Sequence, residues 1–557
     1  MSRVVGHRGW RASCTALTTA LQQLRRSAAC TGTGRAPGPG PGPGACEFNA
    51  PACARGGGSS CRGFASASRA CLAPPGVYPA GSPYLGGYKS VGRSEAGVNP
   101  LGVFANHEVD MGEVSWVGFD YDFTIASYRD GLQQTIYESA REYLINERQY
   151  PEGLSTREFD PGFGVRGLHY DTKRGYLLKL DFLHTVLPGN AYYGRQPLEL
   201  SEIEKAYGGT HVSFAEMEHL RPLVDLFCMA EMCLMSDCIQ HFRDAKVDFD
   251  ASYVYEDVRR AVSDLHLSGK LHNVISADPE KYIEPSPQLR GLLAGQRASG
   301  KRLFLLTNSP FPFVDEGMRF LCGDAWRELF DVVICQADKP SFFYSNRPFR
   351  SIAEDTGKLR WQQVTSLEPG RVYLEGSLRQ IQQMRAFSQI SGQLVTGRNI
   401  FYVGDHVLAD LTGPTKNYGW RTCAIIAELE KEVAIMSSSS YVALLGELLD
   451  AERQLRAHED FSRSEAAQDM LRERALLRRR LKSMFNPHFG SVFRTPTGPT
   501  FFGLAVQRYS DLYTSRLENL LAVPPDRVFY PFRSSLPHEP WHAAMVPTPR
   551  HVGAVGP

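Results

Sequence analysis

The stretch "GFDYDFTIASY", residues 118–128, places two aspartates, Asp120 and Asp122, directly after an apolar run that contains Val114, Trp116, Val117 and Phe119. Strand interiors are poor in Asp, because a buried carboxylate without partners is expensive. Two carboxylates at the end of a buried strand therefore need an answer to their charge from elsewhere in the chain.

Four more apolar runs follow. "KRLFLLTNS" (301–309), "FDVVICQADKP" (330–340), "RNIFYVGDH" (398–406) and "WRTCAIIAEL" (420–429) all read as strands. They are near-continuous rather than alternating, which is the pattern of strands buried on both faces. Helical spacing at Leu132, Ile136, Ala140, Tyr143 and Leu144 follows the first of the five. The expected fold class is α/β: a Rossmann-like parallel sheet core covered by helices. The long gap between the first and second strands is mostly helical in pattern and too long for a simple crossover. It reads as an inserted, mainly helical cap domain. The expected organisation is a disordered leader over 1–95, a catalytic core over 96–128 and 296–445, the cap over 129–295, and a helical extension over 446–557.

The charge is uneven. Residues 1–71 hold nine Arg, no Lys and one acid, Glu47, a charge of +8. Since the whole chain carries +1, the remainder carries −7. A mildly acidic body argues against nucleic acid as the main partner. No run of about 18 apolar residues is present, so no transmembrane helix is expected. The Arg-rich, acid-poor start fits a mitochondrial transit peptide, with "RGFASAS" (62–68) suited to processing; the alternatives are an unconstrained leader and a cytoplasmic protein. Cys228, Cys233 and Cys238 are spaced by fives in an apolar context, which suits buried thiols on a helix and not zinc.

In open α/β sheets, ligands bind beyond the carboxyl ends of the strands. There the first strand offers Asp120 and Asp122, the second Thr307 and Asn308, the third Lys339, and the fourth Asp405 with Asp410 close behind. Several acids on one rim would raise one another's pKa, and a divalent cation resolves that. Oxygen ligands without His or Cys select Mg²⁺. Residues i and i+2 of an extended strand point the same way, so Asp120 and Asp122 both reach one substrate phosphate. One attacks phosphorus and the other protonates the leaving oxygen. Thr307 and Lys339 hold phosphoryl oxygens, and Asp405 completes the metal site. Singly, Thr307 reads equally as a turn residue, Lys339 as a surface charge and Asp405 as a helix cap. "KVDFDAS" (247–253) repeats the two-Asp spacing without a preceding strand and reads as a solvated turn.

"FDYDFT", "LLTNS", "ADKPSFF" and "YVGDHVLAD" resemble the four signature motifs of the haloacid dehalogenase superfamily. With "RGLHYDTKRGYLLKLD" (166–181), "GWRT" (419–422) and "FRTPTGPTFFGLAVQRYSDLY" (493–513), residues from about 100 to 530 resemble the cytosolic purine 5′-nucleotidase family and its domain-containing relatives. The resemblance implies Mg²⁺-dependent hydrolysis of a small phosphorylated substrate, a nucleoside 5′-monophosphate by family pattern, through an aspartyl-phosphate. It makes Asp120 the nucleophile, Asp122 the acid, and Thr307 and Lys339 the phosphate pair. Asp120, Asp405 and the backbone carbonyl of Asp122 become the metal ligands, with Asp410 in support. Asn308, Arg259 and Phe227 become substrate contacts. Where the family pattern has an Asp and a Lys in the cap, this chain has Ser263 and His272, and Val224 stands at an amide position. Chemistry is retained and recognition altered. The alternative is a weakly active relative that binds itself or a protein partner through the cap or the charged helix at about 450–485.

Overall fold

The computed structural model describes residues 98–353, 357–457 and 465–532. The leader expected over 1–95, with its targeting reading, lies outside the described residues.

In chain order the core opens with strands β1 (Phe104–Ala105) and β2 (Trp116–Phe119). The insertion brings β3 (Leu168–Asp171), β4 (Tyr176–Leu180), β5 (Val186–Tyr193), β6 (Gln196–Pro197) and β7 (Leu220–Leu223). The core resumes with β8 (Arg302–Leu306), β9 (Val332–Cys335), β10 (Phe349–Ile352), β11 (Leu359–Arg360), β12 (Arg371–Glu375), β13 (Ile400–Gly404), β14 (Arg421–Ile425) and β15 (Leu512–Thr514).

The main sheet has the order β1-β15-β14-β13-β2-β8-β9-β12-β10-β11. From β15 to β12 every neighbouring pair is parallel. All four residues of β2, all four of β9 and all five of β13 are buried. The continuous apolar runs therefore mark strands covered on both faces, as the sequence implies. Gly118 in β2 serves packing: a Cβ there would lie 2.0 Å from the Phe304 ring.

The insertion is helical in the main. It contains α1 (Gly131–Arg148), α2 (Cys228–Asp244), α3 (Ala251–Leu267) and α4 (Lys270–Ala277). On α2, Cys228, Cys233 and Cys238 are buried free thiols. Asp250 is exposed and caps α3, accepting from Ser252 N at 2.8 Å, so the second two-Asp stretch is a helix start. The helical pattern does not prepare for a five-stranded antiparallel sheet, β6-β5-β4-β3-β7, inside the cap. Its β3–β4 turn is local chemistry: Asp171 accepts from the amides of Lys173 and Arg174, and Gly175 has φ 74°.

The core continues with α5 (Leu289–Ala298) and α6 (Phe311–Cys322). The C-terminal extension expected to be helical over 446–557 contains helices and also a strand of the main sheet. Helices α7 (Glu428–Met436), α8 (Ser439–Ala457) and α9 (Glu465–Phe485) are there, and α8 packs on α9 through Leu444, Leu448, Leu477 and Leu481. The chain then returns to the main sheet as β15, parallel to β14 and antiparallel to β1. It also covers the cap sheet: buried Lys179 on β4 donates to the carbonyls of Phe489, Ser491 and Arg494 at 2.6–3.0 Å. Among the described residues no single helix is long and apolar enough to cross a membrane.

Candidate active site

The carboxyl ends of β2, β8, β9 and β13 meet at one rim. Asp120 follows β2 and its amide donates to Val403 O at 2.9 Å. Thr307 follows β8 and its amide donates to Ile334 O at 2.9 Å. The ladder bonds thus continue to the last residue before the chemistry, and each side chain inherits the position of its strand. Lys339 lies four residues beyond β9 and is buried. Its Nζ has three donors and meets three acceptors: Asp120 Oδ1 at 2.8 Å, Asp410 Oδ1 at 2.8 Å and Tyr402 Oη at 3.0 Å. Tyr402 Oη in turn donates to Leu306 O at 2.9 Å.

Asp120, Asp405 and Asp410 are all buried, and their ligand oxygens lie within 4.8 Å of one another. Two ionised carboxylates at that separation repel by roughly 3–4 kcal/mol at the effective dielectric of a protein interior. Burial, opposed by Lys339 and reinforced by Asp410 and Asp122, pushes Asp120 up to about 7. Burial and then Asp410 and Asp120 push Asp405 well above the carboxylate range. Lys339 goes the other way: burial lowers it, but the attraction of Asp120 and Asp410 wins and holds it charged. Two buried cations, Lys339 and Arg166, face these three acids, and Arg166 also answers Glu428, so negative charge remains in surplus. An oxygen-only donor set with surplus negative charge fits a hard divalent cation. Gly404 makes the arrangement possible, since a Cβ there would stand 2.6 Å from the Asp410 carboxylate.

Asp122 does not join that trio through its side chain. Its Oδ1 accepts from Tyr128 Oη at 2.6 Å and its Oδ2 from Ser309 Oγ at 2.5 Å. Phe123 turns the chain between the two regions, with φ 53°, a conformation that costs a non-glycine residue energy unless its surroundings hold it. The holding is aromatic. Phe123 lies 5.0 Å from Tyr128 and 4.8 Å from Phe227, and Phe227 lies 4.9 Å from His266 (ring centroids). His266 is 6.4 Å from His272, which lies 4.5 Å from Phe313. Burial lowers the pKa of both imidazoles, with Asp122 opposing.

The remaining expectations divide. Thr307 is buried at the rim, where its Oγ1 accepts from Ser309 N at 3.1 Å. Phe227, at the start of α2, joins the roof of rings near Asp122. Asn308 does something else: its amide donates to Lys339 O at 3.1 Å and accepts from Lys339 N at 2.6 Å, bracing the Lys339 loop. Arg259 is likewise held, by both oxygens of buried Glu231 at 3.1 and 2.9 Å. Asn308 is exposed and Arg259 half-buried, and each already has a polar partner within the fold.

Sequence reasoning missed Tyr128, Ser309, Tyr402 and Arg166. Ser309 stands two residues past Thr307, the same spacing as Asp120 and Asp122, and that spacing is its signal in the sequence. Arg166 had no such signal. It comes from the insertion, is buried, and approaches Asp405 O at 3.4 Å and Asp405 Oδ2 at 3.9 Å. It also clasps Glu428 at the head of α7, through Nε at 3.0 Å and through Nη2. The cap therefore reaches into the acid cluster.

A parallel core sheet with paired acids after its first strand and an inserted cap is the architecture of the haloacid dehalogenase type of hydrolase. Residues 103–541 match the model of the "5′ nucleotidase family", and the chain belongs to that family. A 5′-nucleotidase domain-containing protein of Dictyostelium discoideum is 40% identical over 453 residues, covering 79% of this chain and 75% of its own. The human "5′-nucleotidase domain-containing protein 2" is 39% identical over 458 residues, covering 79% of this chain and 86% of its own. Among solved structures, L-2-haloacid dehalogenase from Xanthobacter autotrophicus overlaps with a TM-score of 0.21 at 12% identity, covering 73% of this chain and 97% of its own. At that level the fold class rests on the sheet order described above.

Proposed function

We propose that this chain is an Mg²⁺-dependent phosphatase that hydrolyses a phosphate monoester, of the nucleoside 5′-monophosphate class, through an aspartyl-phosphate. The observation that carries the reading is the division of labour between two aspartates two residues apart. Both contacts to Asp120, from Lys339 and from Tyr121 N at 2.7 Å, fall on Oδ1. That leaves Oδ2 to attack phosphorus. Asp122, clear of the acid trio, gives its proton to the leaving oxygen as the P–O bond breaks. It then takes a proton from the water that releases inorganic phosphate from Asp120. A cation held by Asp120, Asp405 and the Asp122 carbonyl would supply positive charge against the transferring phosphoryl group. Lys339 orients the Asp120 carboxylate and opposes the burial that raises its pKa. The ring roof supports a planar base as the leaving part, and Ser263 and His272 support a selectivity that differs from the purine pattern.

The test is a phosphate-ester screen with Asp120→Asn as control. Turnover should fall by roughly a thousandfold or more, and chelation should abolish it. In parallel, Mg²⁺ should raise the melting temperature of the wild type and not of Asp120→Asn. Turnover that survives both changes, or none in the wild type, would sink the reading, and the second outcome favours a binding protein. We also propose mitochondrial targeting by the Arg-rich leader; a reporter fused to residues 1–71 that stays diffuse would reject it.

A further inference from the structure

The cap is joined to the core by two linkers, and they pair with each other. Tyr128 and Ile283 are antiparallel bridge partners. Arg129 N donates to Tyr282 O at 2.8 Å and Glu284 N to Ser127 O at 2.9 Å. Tyr128 thus belongs to the cap–core junction, yet its hydroxyl ends 2.6 Å from Asp122 Oδ1. Its ring lies 6.4 Å from Phe227 of the roof. One side chain touches the junction, the roof and the carboxyl group that faces the leaving oxygen.

We propose that Tyr128 is the positioning residue of the proton donor, aligning Asp122 from the cap linker so that a leaving group seated under Phe227 finds the acid in place. This rests on the phosphatase reading above. Both Asp122 oxygens are engaged, so one contact must yield when substrate binds. Ser309 is that contact, because it sits two residues from Thr307 on the phosphate-facing loop. Tyr128 stays and fixes the carboxyl plane. In the step concerned, the Asp120–phosphorus bond forms while the bond to the leaving oxygen breaks. The bonding pair goes to that oxygen, and the Asp122 proton neutralises it. A nitrophenolate leaves without this help, whereas an alkoxide does not.

The experiment is kcat/KM for 4-nitrophenyl phosphate, phenyl phosphate and a nucleoside 5′-monophosphate, measured on wild type and Tyr128→Phe. The change keeps the ring and removes one hydroxyl. The nitrophenyl ester should change by less than about threefold and the alkyl ester should fall by roughly ten- to a hundredfold, with phenyl between. Because the readout is a ratio between esters in one preparation, a partly unfolded fraction cancels. In an Asp122→Asn background, Tyr128→Phe should add no further selective loss. An equal loss on all three esters, or a selective loss that persists without Asp122, would overturn the proposal and leave Tyr128 a packing residue. Absence of turnover on every ester in the wild type would instead remove the phosphatase reading, and this role with it.

Discussion

At the rim, Asp120, Thr307, Lys339 and Asp405 follow four strands that lie side by side; ladder bonds place Asp120 and Thr307, and Asn308 braces Lys339. In the roof, Phe123 and Tyr128 come from the loop after β2, Phe227 from the head of α2, His266 from α3, His272 from α4 and Phe313 from α6. The rim buries charge: three acids, two of them within hydrogen-bond reach of one ammonium. The roof gathers rings, most of them half-buried. The rim is therefore over-determined and intolerant of change, whereas the roof can exchange one ring for another at modest cost.

The largest expected effect breaks the rim. Lys339→Met keeps length and removes the cation that, among the described residues, touches both Asp120 and Asp410. It leaves buried carboxylates without that counter-charge, which should lower stability by roughly 3–5 kcal/mol and abolish turnover. Urea unfolding in chelator measures this, and an unchanged midpoint would mean that the acids are less confined than their geometry implies.

A smaller effect tests whether the cap buries neutral groups. His169 in β3 is buried, with its ring 4.9 Å from Phe501, and burial, then the charge of His184, lowers its pKa to about 3. The unfolded imidazole takes up its proton near 6.5, so between the two values the unfolded state binds more protons. The stability contribution is whole above about pH 6.5 and is lost as pH falls. From pH 7 to pH 5 it should cost up to about 2 kcal/mol. His169→Gln should flatten that slope, and a slope left intact would place the acid sensitivity elsewhere.

The smallest effect separates roof from rim in one assay. Phe227→Ala should raise KM for a nucleoside monophosphate by about tenfold, since stacking a base on an aromatic ring contributes roughly 1–3 kcal/mol. A small alkyl phosphate without a ring should respond within about twofold. Equal effects on both would mean that Phe227 supports Phe123 and the acid turn rather than the substrate.

The core was legible because its signals are short-range. An apolar run names a buried strand, and the residue just after it, Asp120, Thr307 or Asp405, names the rim. The cap sheet was not, because β3 and β4 sit among stronger helical signals and pair through a turn whose chemistry belongs to Asp171. The return of β15 to the main sheet was hidden for a different reason. Only three residues make the strand, and its partner β14 lies far back in the chain.

By itself the sequence determined the order of chemical groups along one sheet edge, since strand, turn and side chain are neighbours in the chain. Only the tertiary structure decided that Asn308 pairs with the Lys339 backbone and Arg259 with Glu231, that Arg166 reaches Asp405 from the cap, and that Tyr128 holds Asp122 beside Ser309. Each of those outcomes is a competition among polar groups for partners. The winner is the group that folding brings nearest, often from more than a hundred residues away, and no local pattern records that distance.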